Sequence, residues 1–159
     1  YERWGRLDIL VGNAGLLGPL SPLPHIPADS WQAVMDVNVN ANWRLIRTCD
    51  PLLRNAEAGR VVFVTSGAAA AKRAYWGAYS VSKAALEALA KTYAHEVANT
   101  NVRVNLLNPG PVRTGMRAQA FPGEDPETLP PPEALTALFV ELAAPEQTAN
   151  GELFNFRVD

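Results

Sequence analysis

Short apolar runs alternate along the chain with longer stretches in which apolar residues recur every three or four positions. The run LDILV is typical of a strand buried on both faces, and RVVFVT is a β-branched run; we predict strands at 7–11, 60–65, 102–107 and 152–158. The helical spacing predicts helices at about 31–55, 78–98 and 133–144, with Asp29 or Ser30 as the N-cap of the first. Strands alternating with helices predict an α/β fold with a parallel sheet and right-handed crossovers.

Loops rich in small and polar residues follow three of the predicted strands. They are GNAG (12–15), TSGAAA (65–70) and NPGPVRT (108–114), and the loop after the second strand is expected to extend without helix over 66–74. In open parallel sheets, ligands bind outside the carboxyl ends of the strands. Each loop alone is equally consistent with a plain tight turn. Together, on one edge of one sheet, they predict a binding site.

Composition narrows the class of protein. The 159 residues fit one domain, 48% of them are hydrophobic, and the net charge is −2, which predicts neither a nucleic-acid partner nor a membrane partner. The single cysteine, Cys49, forms no internal disulfide and predicts a reducing cytoplasm. His25 and His95 have no further ligand at metal-binding spacing, so we predict no metal site.

Tyr79 and Lys83 stand one helical turn apart at the start of the second long helix, on the same face. An adjacent ammonium favours the phenolate, so we expect Lys83 to lower the pKa of Tyr79 towards a range useful for acid–base chemistry. Ser66, at the end of a strand, lies on the same edge of the sheet. Alternatively, Tyr79 is a residue at the edge of the core and Lys83 is solvated. Asn38, an amide inside a helix, is a candidate site residue or a kink residue.

GNAG, the Asn of NVNA, the Ser thirteen residues before YSVSK, and NPGPVRT occur in this order on the expected elements. Together they resemble the short-chain dehydrogenase/reductase family over about 7–115. More narrowly, VNVNA, WGAYSVSK and MRAQAFPGEDPETL resemble the YciK-type branch of bacterial oxidoreductases. The resemblance implies a Rossmann-like, doubly wound parallel sheet, with 1–159 as the C-terminal part of one such domain.

The resemblance also implies an NAD(P)-dependent oxidoreductase that acts on an alcohol/carbonyl pair. In it, Tyr79 would be the general acid/base, Ser66 would orient the substrate oxygen, and Lys83 would hold the nicotinamide ribose. Asn38 would hold a water that links Lys83 to solvent. The implied cofactor-binding residues are Asn13, Ala14 and Gly15 on the adenosine side, and Pro109, Gly110, Val112 and Thr114 around the nicotinamide. The family's pairing mode implies a homodimer or homotetramer through the helices near 31–55 and 78–98.

Two departures from the family pattern qualify this reading. Gly12 replaces the first Asn of the family's Asn-Asn-Ala-Gly, and no glycine-rich phosphate loop occurs in the 159 residues. The segment that would distinguish NAD from NADP is absent too. The chain starts without Met almost directly in a strand, so we expect a fragment with the apolar edge of 7–11 exposed. The alternative function is an inactive truncated fragment or oligomeric scaffold. The substrate is not identifiable, although 67–76 and 113–132 should form the walls of its pocket.

Overall fold

The computed structural model describes residues 2–156, and one parallel sheet organises them. Its strands are β1 (Ile9–Gly12), β2 (Arg60–Val64), β3 (Arg103–Asn108) and β4 (Leu153–Asn155), adjacent in that order. All three pairings are parallel: Arg60 lies opposite both Ile9 and Arg103, and Leu106 opposite Leu153. The predicted Rossmann-like α/β sheet is therefore confirmed. The predicted last strand is shorter in the structure, and its positions 157 and 158 lie outside the described residues.

Helices cover both faces of this sheet. The helices are α1 (Ala28–Met35), α2 (Ala41–Asn55), α3 (Ala68–Ala71), α4 (Gly77–Glu96), α5 (Gly115–Ala120) and α6 (Thr136–Ala143). A π-helical segment, Asp36–Asn40, joins α1 to α2, and 3-10 turns occur at Leu23–His25, Pro126–Thr128 and Pro132–Leu135.

The residues of β2 alternate between two hydrophobic clusters. Val61 and Phe63 pack with residues of α2 and α4, whereas Val62 packs with Leu142 of α6 on the opposite face. Successive side chains of a strand point to opposite faces, so a continuous apolar run is needed when both faces are covered. All five residues of β2 are buried, which explains why four apolar residues follow Arg60 without interruption.

Strand β1 forms one edge of the sheet. Ile9 and Val11 are 46% and 42% exposed, whereas Leu10, which points to the other face, is buried. The predicted burial of this strand on both faces was wrong, because Ile9 and Val11 are exposed, whereas its expected exposed position at an edge of the sheet is confirmed. Val11 borders the cavity described below, so this edge adjoins the candidate site.

Two local predictions were wrong. Neither Asp29 nor Ser30 is an N-cap: α1 begins at Ala28 after Pro27, with no side-chain cap, and Asp29 accepts a hydrogen bond from the Ser30 amide instead. The expected helix-free loop at 66–74 contains the short helix α3. Its four alanines have the highest helix propensity, and it ends at Lys72, whose φ of 47° is left-handed.

Gly12 lies where no side chain fits. A Cβ built there would clash with the Asn42 side chain and the Phe63 ring. We expect Gly12→Ala to lower the free energy of unfolding by about 1–3 kcal/mol, since overpacking forces neighbours to move. Urea unfolding measures the change. Gly123→Ala, with open space around its Cβ position, is the matched control, and equal stability of the two variants would contradict this packing.

Candidate active site

The carboxyl ends of β1, β2 and β3 open onto one cavity of about 670 Å³. The structure brings all three predicted loops to its wall. The predicted site residues that line it are Asn13, Ala14, Gly15, Ser66, Tyr79, Lys83, Pro109, Gly110, Val112 and Thr114. Asn38 is not among the lining residues. The cavity has the size of a typical small-molecule site and the position expected for a parallel sheet.

Tyr79 lies in the first turn of α4 and is buried. Its ring and that of Trp76 pack in a T-shaped arrangement, with 6.1 Å between the ring centroids. Burial raises the pKa of the Tyr79 phenol, because the phenolate loses solvation, and hydrogen bonding with Ser66 opposes that rise. The phenol therefore carries its proton at neutral pH and stands beside the Ser66 hydroxyl.

Lys83 follows Tyr79 by one turn and is also buried. Its Nζ donates a hydrogen bond of 2.8 Å to the Val64 carbonyl and lies 5.8 Å from the centroid of the Tyr79 ring. Burial lowers the pKa of Lys83 to about 8. At neutral pH the ammonium form still predominates.

The expectation that Lys83 gives Tyr79 a lowered pKa was wrong for this structure. The net shift of the Tyr79 pKa is upward, and Lys83 is not among its causes. The helical spacing of the two residues is as predicted, but both groups are withdrawn from water and the ammonium is directed to the Val64 carbonyl. Desolvation therefore outweighs the neighbouring charge.

Ser66 lies two residues after Val64, the last residue of β2. Its Oγ accepts a hydrogen bond of 3.2 Å from the Ala68 amide at the start of α3. This contact fixes the hydroxyl on the side of the cavity where Tyr79 lies. A ligand oxygen between the two residues can meet two hydroxyl groups.

Asn38 is fully buried in the π-helical segment, and its side chain binds the chain segment that follows β1. Its Oδ1 accepts from the Leu16 amide at 2.7 Å, and its Nδ2 donates to the Leu16 carbonyl and to Ser82 Oγ, both at 2.9 Å. The amide therefore anchors the loop against α4. The position of Asn38 at a helix irregularity agrees with one of the two interpretations left open by the sequence, and its role as a site residue stays a prediction.

Asn42 and Ser82 support Asn38 and were not predicted. Asn42 Nδ2 donates to the Asn38 carbonyl at 2.9 Å, and Ser82 Oγ donates to the Tyr79 carbonyl at 2.8 Å while accepting from Asn38. In the π-helical turn, the Ala41 amide bonds to the Asp36 carbonyl, five residues earlier. The spacing Asn38–Asn42, one turn apart on a helix, was the only available sequence signal.

Asn108 joins two of the loops and was also missed as a site residue. Its Oδ1 accepts from the Gly67 amide at 3.1 Å and the Gly110 amide at 3.2 Å, and its Nδ2 donates to Asn155. Gly110 has a φ of 64°, a conformation that favours glycine. One side chain thus fixes the loop after β2 relative to the loop after β3.

Gly15 keeps open the part of the cavity nearest Lys83. A Cβ at this position would lie 3.6 Å from both Asn38 Oδ1 and Lys83 Nζ, and 3.9 Å from the methyl carbon of Met116. A side chain here would occupy the space in front of the ammonium. The missing Cβ therefore lets a flat ligand approach the backbone while hydrogen-bonding to Lys83.

Apolar side chains form the far wall of the cavity. Trp76 and Phe121 pack with 5.7 Å between their ring centroids, and Met116 lies in the same wall. The Arg117 guanidinium stacks 3.8 Å from the Phe121 centroid, and Glu124 holds it through two hydrogen bonds of 2.6 Å. Both segments expected to form the pocket wall, 67–76 and 113–132, contribute to it.

Within 2–156, no group of three or more His, Cys, Asp or Glu side chains is arranged to hold a metal ion. No helix in this part of the chain has the length and apolar character needed to cross a membrane.

The parallel sheet with a ligand-sized cavity at its strand ends places the chain among the Rossmann-like α/β proteins. A family model described as short chain dehydrogenase matches residues 1–125. The chain belongs to the short-chain dehydrogenase family.

Two relatives show how much of such a protein the chain represents. It is 44% identical to the oxidoreductase YciK of Escherichia coli K12 over 137 residues, which are 86% of this chain and 54% of that protein. It is 39% identical over 116 residues to an NAD-dependent oxidoreductase of Mycobacterium tuberculosis, covering 72% of this chain and 42% of that protein. The chain therefore spans about half the length of these relatives.

The fold agrees closely with a solved structure from Escherichia coli CFT073, which is complexed with NADPH. The TM-score is 0.92 at 41% sequence identity, and the match covers 97% of this chain and 64% of the other.

Proposed function

We propose that the full-length protein containing this chain is an NAD(P)-dependent oxidoreductase that transfers a hydride between the nicotinamide and an alcohol/carbonyl substrate. In this proposal, residues 1–159 form the C-terminal part of a single cofactor-binding domain. The observation that carries the proposal is the meeting of Ser66, Tyr79 and Lys83 on one wall of the cavity, opposite the loop that ends in Gly15. The NADPH complex of the Escherichia coli CFT073 relative supports the cofactor class.

Tyr79 acts as the general acid/base. When bound, the reduced nicotinamide supplies a hydride to the carbonyl carbon. Tyr79 donates its phenolic proton to the carbonyl oxygen, so that an alcohol forms, and takes the proton back in the opposite direction. The raised pKa of Tyr79 keeps that proton in place at neutral pH, which suits the reductive direction.

Ser66 orients the substrate oxygen. Its hydroxyl stands beside the phenol, and the bond from the Ala68 amide keeps its position. A carbonyl oxygen held by Ser66 and Tyr79 together presents one fixed face of the carbonyl carbon to the cofactor side of the cavity.

Lys83 holds the ribose of the cofactor. One of its three protons is used by the Val64 carbonyl, which leaves two to donate to ribose hydroxyls over Gly15. The positive charge, once a ligand excludes water, also favours the phenolate that Tyr79 becomes after proton transfer.

The other lining residues supply a close-fitting backbone surface for the cofactor. Asn13, Ala14 and Gly15 would lie along its adenosine side, and Pro109, Gly110, Val112 and Thr114 around its nicotinamide. Thr114 also caps α5 by accepting from the Arg117 amide at 3.2 Å, which fixes the start of that helix. The small residues and the left-handed Gly110 fit the approach of a flat ring to the backbone.

Asn38 supports the proton path from behind the cavity. A water held between Asn38 and Lys83 is the role implied by the family resemblance. The described contacts support positioning, since both side-chain atoms of Asn38 bond to Leu16 or Ser82. Through these hydrogen bonds, Asn38 fixes the position of the loop that contains Gly15 relative to Lys83.

The protein would act as a cytoplasmic homodimer or homotetramer that pairs through the two long helices. The support is the set of large apolar side chains that these helices expose: Trp43, Leu45 and Val81. The alternative function is an inactive truncated fragment or oligomeric scaffold, which would share this surface and lack the cofactor chemistry.

One set of measurements separates the proposal from that alternative. We expect the purified full-length protein to bind NADPH or NADH with a micromolar dissociation constant, to oxidise it in the presence of a panel of aldehydes and ketones, and to be a dimer or tetramer by light scattering. An oligomer that binds neither cofactor would support the scaffold. A monomer at micromolar concentration would contradict the pairing.

A further inference from the structure

Three aromatic side chains form a row along the wall of the cavity, and the row begins at the candidate acid/base. The ring centroids of Tyr79 and Trp76 lie 6.1 Å apart in a T-shaped arrangement, and those of Trp76 and Phe121 lie 5.7 Å apart at a tilt of 39°. All three residues line the cavity, and we call them the aromatic row. Edge-on and offset contacts at such distances are the favoured geometries between aromatic rings, so a further ring in the cavity can pack against the row in the same way.

The Phe121 end of the aromatic row is held in place by the protein itself. The Arg117 guanidinium lies 3.8 Å from the centroid of the Phe121 ring, and Glu124 holds that guanidinium through two hydrogen bonds of 2.6 Å. The Phe121 amide also donates to the Arg117 carbonyl at 2.9 Å. Because the ring is already positioned between Arg117 and Trp76, ordering it adds little to the entropic cost of binding a ligand.

The charges around the aromatic row do not favour a charged substituent on the substrate. The charge of Arg117 is compensated by the Glu124 carboxylate, and no Asp or Glu among residues 2–156 lines the cavity. Lys83 is bound to the Val64 carbonyl and, in the proposed function, to the cofactor ribose. Met116, in the same wall, is apolar. Since burying a charge without a partner is costly, this wall favours a neutral, apolar group.

We propose that the substrate is a carbonyl compound bearing a neutral aromatic ring, which packs against Trp76 and Phe121 while the carbonyl oxygen meets Tyr79 and Ser66. We call the space beside Trp76 and Phe121 the ring subsite. The position of the carbonyl rests on the proposed function. The ring subsite itself rests on the geometry of the aromatic row and on the compensated charge of Arg117. Trp76 and Phe121 would then determine specificity without taking part in proton or hydride transfer.

Calorimetry on the full-length protein without cofactor tests the ring subsite apart from any turnover. The probes are phenylacetone and its saturated counterpart cyclohexylacetone, which carry the same carbonyl at the same number of bonds from the ring. We expect phenylacetone to bind about fivefold more tightly, because contacts between aromatic rings add to the burial of apolar area. A wall that is merely apolar would bind cyclohexylacetone at least as tightly, since this compound buries more apolar surface. That result would overturn the proposal.

Phe121→Leu removes one ring of the aromatic row and keeps an apolar side chain. It should reduce the preference for phenylacetone to about twofold or less, whereas Phe121→Tyr, which retains a ring, should keep it. Tyr75→Leu is the matched control, because Tyr75 is 59% exposed, precedes Trp76 and does not line the cavity. Equal effects of Phe121→Leu and Tyr75→Leu would overturn the assignment of Phe121. The comparison of the two ketones on the parent protein decides the proposal even if Phe121→Leu does not fold.

Reduction of the same compounds distinguishes failure of the ring subsite from failure of the proposed function. The methylene group between ring and carbonyl keeps the intrinsic reactivities of the two ketones similar, so kcat/KM for phenylacetone should also be about fivefold higher. Turnover of both ketones without this preference would overturn the ring subsite alone. Selective binding of phenylacetone without reduction of any carbonyl compound would support the ring subsite and overturn the proposed oxidoreductase.

A carboxylate on the ring tests the preference for a neutral group. We expect 4-carboxyphenylacetone to have a kcat/KM about tenfold below that of phenylacetone, because the Arg117 charge is already paired with Glu124 and the carboxylate would lose solvation. An equal kcat/KM for the two compounds would overturn this part of the proposal.

Discussion

Tyr79→Phe should lower kcat for carbonyl reduction by about 100- to 10,000-fold while leaving the fold and cofactor binding nearly unchanged. The phenylalanine ring keeps the packing against Trp76 and removes only the proton that the carbonyl oxygen would receive. Steady-state kinetics with NADPH or NADH and an aldehyde measure the loss. Calorimetric titration of the cofactor shows whether binding is preserved.

Tyr93→Phe is the matched control for this substitution. Tyr93 lies on the same helix and is also buried, but its hydroxyl donates to Asp50 at 2.8 Å and does not line the cavity. We expect Tyr93→Phe to keep kcat and to lose about 1 kcal/mol of stability with the hydrogen bond. If Tyr79→Phe kept a kcat within a few-fold of the parent, another group would have to supply the proton.

The pH dependence of turnover should also reflect the protonation of Tyr79. Because burial raises the pKa of Tyr79, the protonated form that reduction requires is present throughout the neutral range. Oxidation of the alcohol requires the deprotonated form, so its rate should rise towards alkaline pH in the parent. That rise should be absent from the residual activity of Tyr79→Phe.

The sheet was predictable from the sequence because its signal is local and strong. In β2, every residue after Arg60 is apolar, since both faces are covered by helices. The loops at the strand ends were predictable for a related reason: parallel topology brings all carboxyl ends to one edge whatever the details of packing. Arg60, buried at the start of β2, had no such signal, because the Asn101 and Ala144 carbonyls that accept its hydrogen bonds are distant in sequence.

The irregular helix between α1 and α2 shows where local reasoning fails. Helical periodicity continues through Asp36–Asn40, so a single helix was predicted there. The structure instead has a π-helical turn in which the Asn42 side chain bonds the Asn38 carbonyl and the Asn38 amide bonds Leu16. Asn42 also takes the space that a side chain at Gly12 would need. The glycine at position 12, where the family has Asn, is thus explained by a contact that only the folded structure shows.

The direction of the Tyr79 pKa shift was mispredicted for a different reason. Sequence spacing fixes which groups are neighbours on a helix, but the balance between a neighbouring charge and lost solvation depends on burial. The sequence also contained no sign that the Lys83 ammonium would bond to the Val64 carbonyl.

The difference in free energy of unfolding between Lys83→Met and the parent, both without ligand, should be more favourable to the variant at neutral pH than at alkaline pH. We expect this change to be about 3 kcal/mol. The folded-state pKa of Lys83 is about 8, below its ordinary value of 10.5, because burial disfavours the ammonium. The folded protein therefore binds fewer protons than the unfolded chain between these two values. The cost of the buried charge is fully present below pH 8 and is relieved as the pH rises towards 10.5.

Urea unfolding of the parent and the variant from pH 7 to pH 10 measures this difference. The stability of Lys83→Met minus that of the parent should fall with pH above about 8, approaching a slope of about 1.4 kcal/mol per pH unit. Lys91→Met is the matched control for the loss of a lysine side chain, because Lys91 is exposed on the same helix. A flat difference for Lys83→Met would contradict the buried ammonium.

Lys83→Met also tests whether the buried charge of Lys83 serves cofactor binding. If Lys83 holds the cofactor ribose, Lys83→Met should weaken NAD(P)H binding about tenfold or more, while Lys91→Met should leave it unchanged. A variant that is more stable at pH 7 but binds cofactor poorly would show that the fold tolerates a destabilising charge for the sake of the site. A variant with parental cofactor affinity would remove the ribose role from Lys83 and leave the buried ammonium bound only to Val64.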